Sequence, residues 1–309
     1  MHLDPPVRRI FAELAANAPA TPPADMAELR RRAAATLLSV APEPDPGVAV
    51  SHHRVPVPGG EITVRILRPA DLPGPAPVYL FLHGGGWVHG DLDTGDVECG
   101  PMASLVPCVV VSVDYRLAPE HPFPTPLEDC LAAYAWLLAQ APGLDADPAR
   151  IAVGGTSAGA NLAAALCLAA RDRGLPLPVL QYLDVPALDL TPESALGASG
   201  GPLTAAAVQE FASLYVGDGD PRHPYASPLH ATDLSGLPPA VVVVSEHDPL
   251  RDHGERYLVR LHEADVPAAG LRVLAHTHGS WLTPGTVTSA MVRELRAAAL
   301  RVAFTDRLP

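Results

Sequence analysis

The chain is 309 residues long, 48% of them hydrophobic, with a formal net charge of -13. Such a length and apolar content suit one large domain or two modest ones with a substantial core. The acidic balance argues against a nucleic acid or an anionic membrane surface as partner, since either needs a basic face to neutralise phosphates. The 21 basic residues are all arginine and 36 residues are proline, which reads as codon bias without mechanistic content.

In chain order, the first 50 residues carry Arg8, Arg9, Arg30, Arg31 and Arg32 but no apolar run of signal-peptide length. No later segment approaches the ~20 apolar residues of a membrane span. A cytoplasmic protein is therefore expected. Two amphipathic segments, Arg8–Ala16 and Met26–Leu38, flank a proline-rich stretch at residues 19–23. From about Val50 to Val244, strand-like and helix-like runs alternate, as in a sheet with parallel strands covered by helices. Strands are predicted at Ile62–Leu67, Val78–Leu82, Val109–Val113, Ile151–Val153, Val179–Leu183, Val241–Ser245 and Leu271–Leu274. Helices are predicted at Leu127–Ala139, Ser157–Ala170, Asp252–Ala264 and Thr286–Ala303. Runs such as Val109–Val111 and Val241–Val244 are apolar continuously, the mark of strands buried on both faces.

Residues 186–226 interrupt this alternation and contain Thr204–Val216, where Val208, Phe211, Leu214 and Tyr215 recur at helical spacing. Insertions at the C-terminal edge of a parallel sheet fall where ligands bind, so this segment and the N-terminal arm are expected to form a helical cap. The expected organisation is cap segment 1–50, catalytic α/β domain 51–185, inserted cap segment 186–225 and the rest of the catalytic domain 226–309.

Gly155-Thr156-Ser157-Ala158-Gly159 follows an apolar strand and opens an Ala/Leu-rich helix, the setting of a nucleophile elbow. His83-Gly84-Gly85-Gly86-Trp87 follows the strand Val78–Leu82, and its glycines leave backbone N–H groups unobstructed for an oxyanion. Serine needs a general base and an orienting carboxylate. After Val241–Ser245 come Asp248 and Asp252, and after Leu271–Leu274 come His276 and His278, in the chain order Ser, acid, His. Spacing does not separate His276 from His278, which point the same way on an extended segment.

These motifs, together with Asp114-Tyr115-Arg116-Leu117-Ala118-Pro119-Glu120-His121-Pro122-Phe123-Pro124, Asp248-Pro249-Leu250-Arg251-Asp252 and His278-Gly279, resemble the hormone-sensitive-lipase-like carboxylesterases of the α/β-hydrolase superfamily. The resemblance runs from residue 83 to 279 in the family's order. It implies an α/β-hydrolase fold, a central mostly parallel sheet flanked by helices with a helical cap. It also implies Ser157 as nucleophile, Asp248 as orienting acid, His278 as base, and the N–H groups of Gly84, Gly85 and Ala158 as oxyanion hole. The family usually has Gly-Asp-Ser-Ala-Gly-Gly and His-Gly-Phe; this chain has Thr156, Ala160 and Ser280 followed by Trp281. Those departures are expected to tune pocket shape and optimum conditions and to leave activity intact.

Competing assignments are structural. Asp252 reads as a helix cap, and His83 as a residue that fixes the glycine loop. His247 and His253 flank Asp248 without metal-ligand spacing. Cys99, Cys108, Cys130 and Cys167 are scattered, as buried free thiols are. Asp114, Arg116, Glu120, Glu128 and Asp129 read as an internal ion-pair network. No metal and no cofactor is expected.

The reading is a serine carboxylesterase taking a small-molecule ester with a small to medium hydrophobic acyl group. Trp87, Trp281 and the cap residues Phe11, Phe211, Leu214 and Tyr215 would shape its pocket. Open alternatives are an amidase, lactonase or carbamate hydrolase, a lyase, or a non-catalytic binding protein of the same fold. Oligomeric state is open, a homodimer among the options.

Overall fold

The computed structural model describes residues 2–16, 21–194, 196–197, 201–280 and 286–305. A single eight-stranded sheet organises them, in the order β1-β2-β4-β3-β5-β6-β7-β8. Its strands are β1 (Val48–Val57), β2 (Gly60–Pro69), β3 (Ala76–Leu82), β4 (Val109–Asp114), β5 (Ala146–Thr156), β6 (Gln181–Asp184), β7 (Ala240–His247) and β8 (Ala268–Thr277). The hairpin of β1 and β2 joins β4 antiparallel, and the strands from β4 to β8 pair in parallel.

Every residue of β3 is buried, because helices cover both sides of the sheet. On one side lie α3 (Leu92–Leu105) and α8 (Val287–Phe304), whose Met102 and Leu300 pack with Tyr79 and Val110. On the other lie α4 (Thr125–Gln140), α5 (Ala158–Asp172) and α7 (Arg251–Glu263), packed with Val78, Leu80 and Val153. All four cysteines are buried free thiols. Among the described residues, no helix is long and apolar enough to cross a membrane.

Three helices stand apart from the two layers in sequence: α1 (Pro5–Ala16), α2 (Met26–Leu38) and α6 (Ala205–Val216). Arg30 of α2 reaches the loops after β3 and β4, donating to Val88 O at 2.8 Å and Ala118 O at 3.0 Å. Two elements differ from the sequence expectation. Strand β1 starts at Val48, so the end of segment 1–50 belongs to the sheet, and α3 occupies a stretch where no helix was expected. Of the expected internal ion-pair network only Arg116–Asp129 is found; Glu120 and Glu128 pair instead with Arg30 and Arg173 at the surface, and Asp114 is in none of these pairs.

Candidate active site

Strand β5 ends at Thr156 and α5 begins at Ala158, so the whole reversal falls on Ser157. Its backbone sits at φ 59 and ψ -114, a conformation that costs a non-glycine residue on the order of 1–3 kcal/mol. The surroundings hold it there. Ser157 N donates to Asp184 O on β6 at 2.8 Å, and α5 presses so close to β3 that a Cβ on Gly159 would stand 1.9 Å from Leu82 O.

Strands β3 and β5 run side by side with Leu82 opposite Gly155, which puts the loop after β3 next to the elbow. Gly84 approaches the serine closely, since a Cβ built on it would lie 3.8 Å from Ser157 Cβ. Gly85, at φ 118, turns the loop back where a Cβ would meet His89 O at 2.0 Å. His83 anchors the start of the loop: Nδ1 donates to Gly84 O at 2.8 Å, and the ring stacks on Tyr115 at 4.2 Å. Burial pushes its pKa down to about 4, so this imidazole stays neutral and structural. As the first residue of α5, Ala158 has an N–H with no acceptor in its own helix. Gly84, Gly85 and Ala158 thus surround the serine.

Asp248 and His278 follow the neighbouring strands β7 and β8. The buried Asp248 accepts from Leu250 N at 2.8 Å through Oδ1 and from His278 Nδ1 at 2.9 Å through Oδ2. His278 Nε2 lies 2.9 Å from Ser157 Oγ. Carboxylate, imidazole and hydroxyl are therefore linked in one chain of hydrogen bonds. His276 takes no part, because Ala275 at φ 60 turns the backbone and leaves His276 buried, its Nδ1 2.8 Å from Ser280 Oγ. Ser280 Oγ also accepts from Thr277 N at 3.0 Å, so this departure from the family pattern braces the histidine loop.

Asp252 is not a cap. It lies within the first turn of α7 and pairs with Arg251, while Leu250 holds the N-cap position without a side-chain bond. His247 faces the carbonyl of His2 at 3.1 Å, and His253 accepts from Leu188 N at 3.2 Å with its Nε2 2.7 Å from Ser194 Oγ. Neither joins Asp248 in a metal site.

A cavity of about 260 Å³ opens above Ser157 and His278. Trp87 and Phe211 line it as expected, joined by Leu37 of α2 and by Leu203 and Val208. Leu214 and Tyr215 do not. The cavity spans only one turn of α6, and one turn further on Tyr215 is fully buried beneath Trp87, the two rings stacked at 4.4 Å; Leu214 packs against the core. Phe11 does not line the cavity, and Trp281 lies outside the described residues. Sequence reasoning missed Glu98 of α3, which enters the cavity wall and accepts from Thr156 Oγ1 at 2.7 Å. The local signal for its helix is the capping box of Asp91 and Thr94.

Strand order, elbow and linked Ser–His–Asp define an α/β hydrolase. The sequence matches the family described as alpha/beta hydrolase fold over residues 79–282. It is similar to carboxylic ester hydrolase LipN of Mycobacterium tuberculosis, 44% identical over 249 residues, 77% of this chain and 66% of that protein. An arylesterase of Saccharolobus solfataricus is 37% identical over 284 residues, 90% of each chain. Among solved structures, the hyperthermophilic esterase from the archaeon Pyrobaculum calidifontis superposes with a TM-score of 0.90 at 38% identity, over 98% of this chain and 99% of that one. The chain belongs to the hormone-sensitive-lipase-like family of the α/β-hydrolase superfamily and is a carboxylic ester hydrolase.

Proposed function

We propose that the protein hydrolyses esters of small to medium hydrophobic acyl groups through an acyl-enzyme on Ser157. His278 takes the serine proton as Oγ attacks the ester carbonyl and passes it to the leaving alcohol; water, activated by the same imidazole, then releases the acid. Asp248 holds the imidazole with Nε2 toward the serine. The developing oxyanion is met by the N–H groups of Gly84, Gly85 and Ala158. Carrying this reading is the pair of 2.9 Å contacts joining Ser157 Oγ, His278 and Asp248.

The acyl size is argued from the cavity, whose roughly 260 Å³ falls just below the range of about 300 to 1,000 Å³ typical of drug-sized ligands. Its walls are the basis for assigning α2 and the 186–225 segment to a cap, since Leu37 of the one and Phe211 of the other both line the cavity. The test is a p-nitrophenyl ester series, acetate through dodecanoate, with the native protein and Ser157→Ala side by side. Expected are a short-chain optimum and a loss on the order of 10⁴-fold or more in the variant. Equal rates in both proteins would overturn the mechanism, and an optimum at dodecanoate the acyl assignment.

A further inference from the structure

Glu98 does more than line the cavity. Its Oε2 accepts at 2.7 Å from Thr156 Oγ1 and at 2.7 Å from Arg296 of α8. Arg296 is 5% exposed and pairs at the same time with Asp184, whose carbonyl receives Ser157 N. Its guanidinium lies 5.3 Å from the Tyr182 ring centroid, so the charge is packed as well as paired. Ser157 is thereby bracketed: the preceding residue is held through Glu98, its own N–H through Asp184, and one guanidinium joins the two acids. A buried ionic cluster of this kind adds little net stability over apolar packing, so its placement against a strained elbow calls for another reason.

The family pattern carries a carboxylate at position 156, where this chain has a hydroxyl. We propose that Glu98 is a positioning residue, supplying from α3 the carboxylate that the elbow lacks and holding Ser157 in its reactive conformation through Thr156 and Arg296. This rests on the reading of Ser157 as nucleophile. Thr156 Oγ1 points at the same Glu98 oxygen that Arg296 contacts, so a carboxylate at position 156 would project toward the same guanidinium.

The test compares wild type, Glu98→Val, Thr156→Asp and the double variant by kcat, KM, labelling of Ser157 with a fluorophosphonate, and Tm. Glu98→Val leaves Thr156 and Arg296 short of an acceptor, and Thr156→Asp sets two carboxylates against each other. Each is expected to lower kcat and labelling roughly ten- to a hundredfold at near-constant KM. The double variant is expected to recover to within a few fold of wild type. Wild-type kcat in Glu98→Val, or a double variant no better than the product of the single effects, overturns the proposal. If Glu98→Val does not fold, Glu98→Leu, which also lacks an acceptor, is read in its place, and an unchanged kcat has the same force. A wild type that neither turns over nor labels defeats the nucleophile reading instead. The coupling is then read from the four melting temperatures, where absence of recovery in the double variant rejects the relocation.

Discussion

Asp248 illustrates how little freedom the central groups have. One carboxylate oxygen is occupied by a backbone N–H and the other by His278, so the imidazole tautomer is set by a single bond. Asp248→Asn is expected to preserve the fold and lower kcat roughly 10³- to 10⁴-fold, checked by steady-state kinetics beside a thermal melt. Phe211 sets the depth of the cavity against Gly86, whose φ of 58 leaves space that a Cβ would take at 2.7 Å from the ring. In Phe211→Ala the preferred acyl chain should lengthen, with about 0.8 kcal/mol gained per methylene newly accommodated; an unmoved optimum in the ester series would mean that another wall limits the chain.

At the scale of elements, the cap depends on few attachments. Arg30 is a fork with its Nε on Val88 O, one Nη on Ala118 O and both Nη groups on Glu120, and it ties α2 to the loop that also carries the glycines. Arg30→Ala is expected to raise KM several-fold and to speed proteolysis before β1, with Arg30→Lys a poor substitute because an ammonium cannot span both carbonyls. Limited proteolysis with esterase kinetics checks both. Elements were legible in the sequence where one local pattern decided them. Continuous apolar runs marked β3, β4 and β7, and the motif order brought Ser157, Asp248 and His278 to one place. Helix α3 was hidden because Gly95, Gly100 and Pro101 lower its propensity, and it folds through the burial of Cys99 and Met102 against the sheet. Edge strand β1 was hidden by the polar run His52, His53 and Arg54, of which His53 packs against Trp136 while its neighbours face solvent. Beyond the capping box of its helix, Glu98 had no signal for its role, since its partner Arg296 lies 198 positions away. Tyr215 had the right helical face and the wrong turn, which periodicity cannot distinguish.

For the molecule as a whole, buried histidines set a limit on acid tolerance. Burial pushes His83, His89 and His253 down to about 4, while the unfolded chain titrates near ~6.5. The unfolded state therefore binds protons first as pH falls, so stability is complete above about pH 6.5 and drains away toward about pH 4. At about pH 5 each such site costs on the order of 2 kcal/mol. His253 gives the clearest case, because its Nδ1 already accepts from Leu188 N and has no room for a proton. Tm should fall from about pH 7 to about pH 5, and His253→Gln should flatten that slope; a Tm independent of pH over this window would contradict the assignment.

Arg296 also imposes an order in time. During synthesis Glu98 and Asp184 emerge long before the guanidinium that joins them, so a nascent chain holds two acids beneath an elbow with nothing to neutralise either. In a chain that emerges from its N-terminus, the ion cluster beneath Ser157 can close only once residue 296 is available to it.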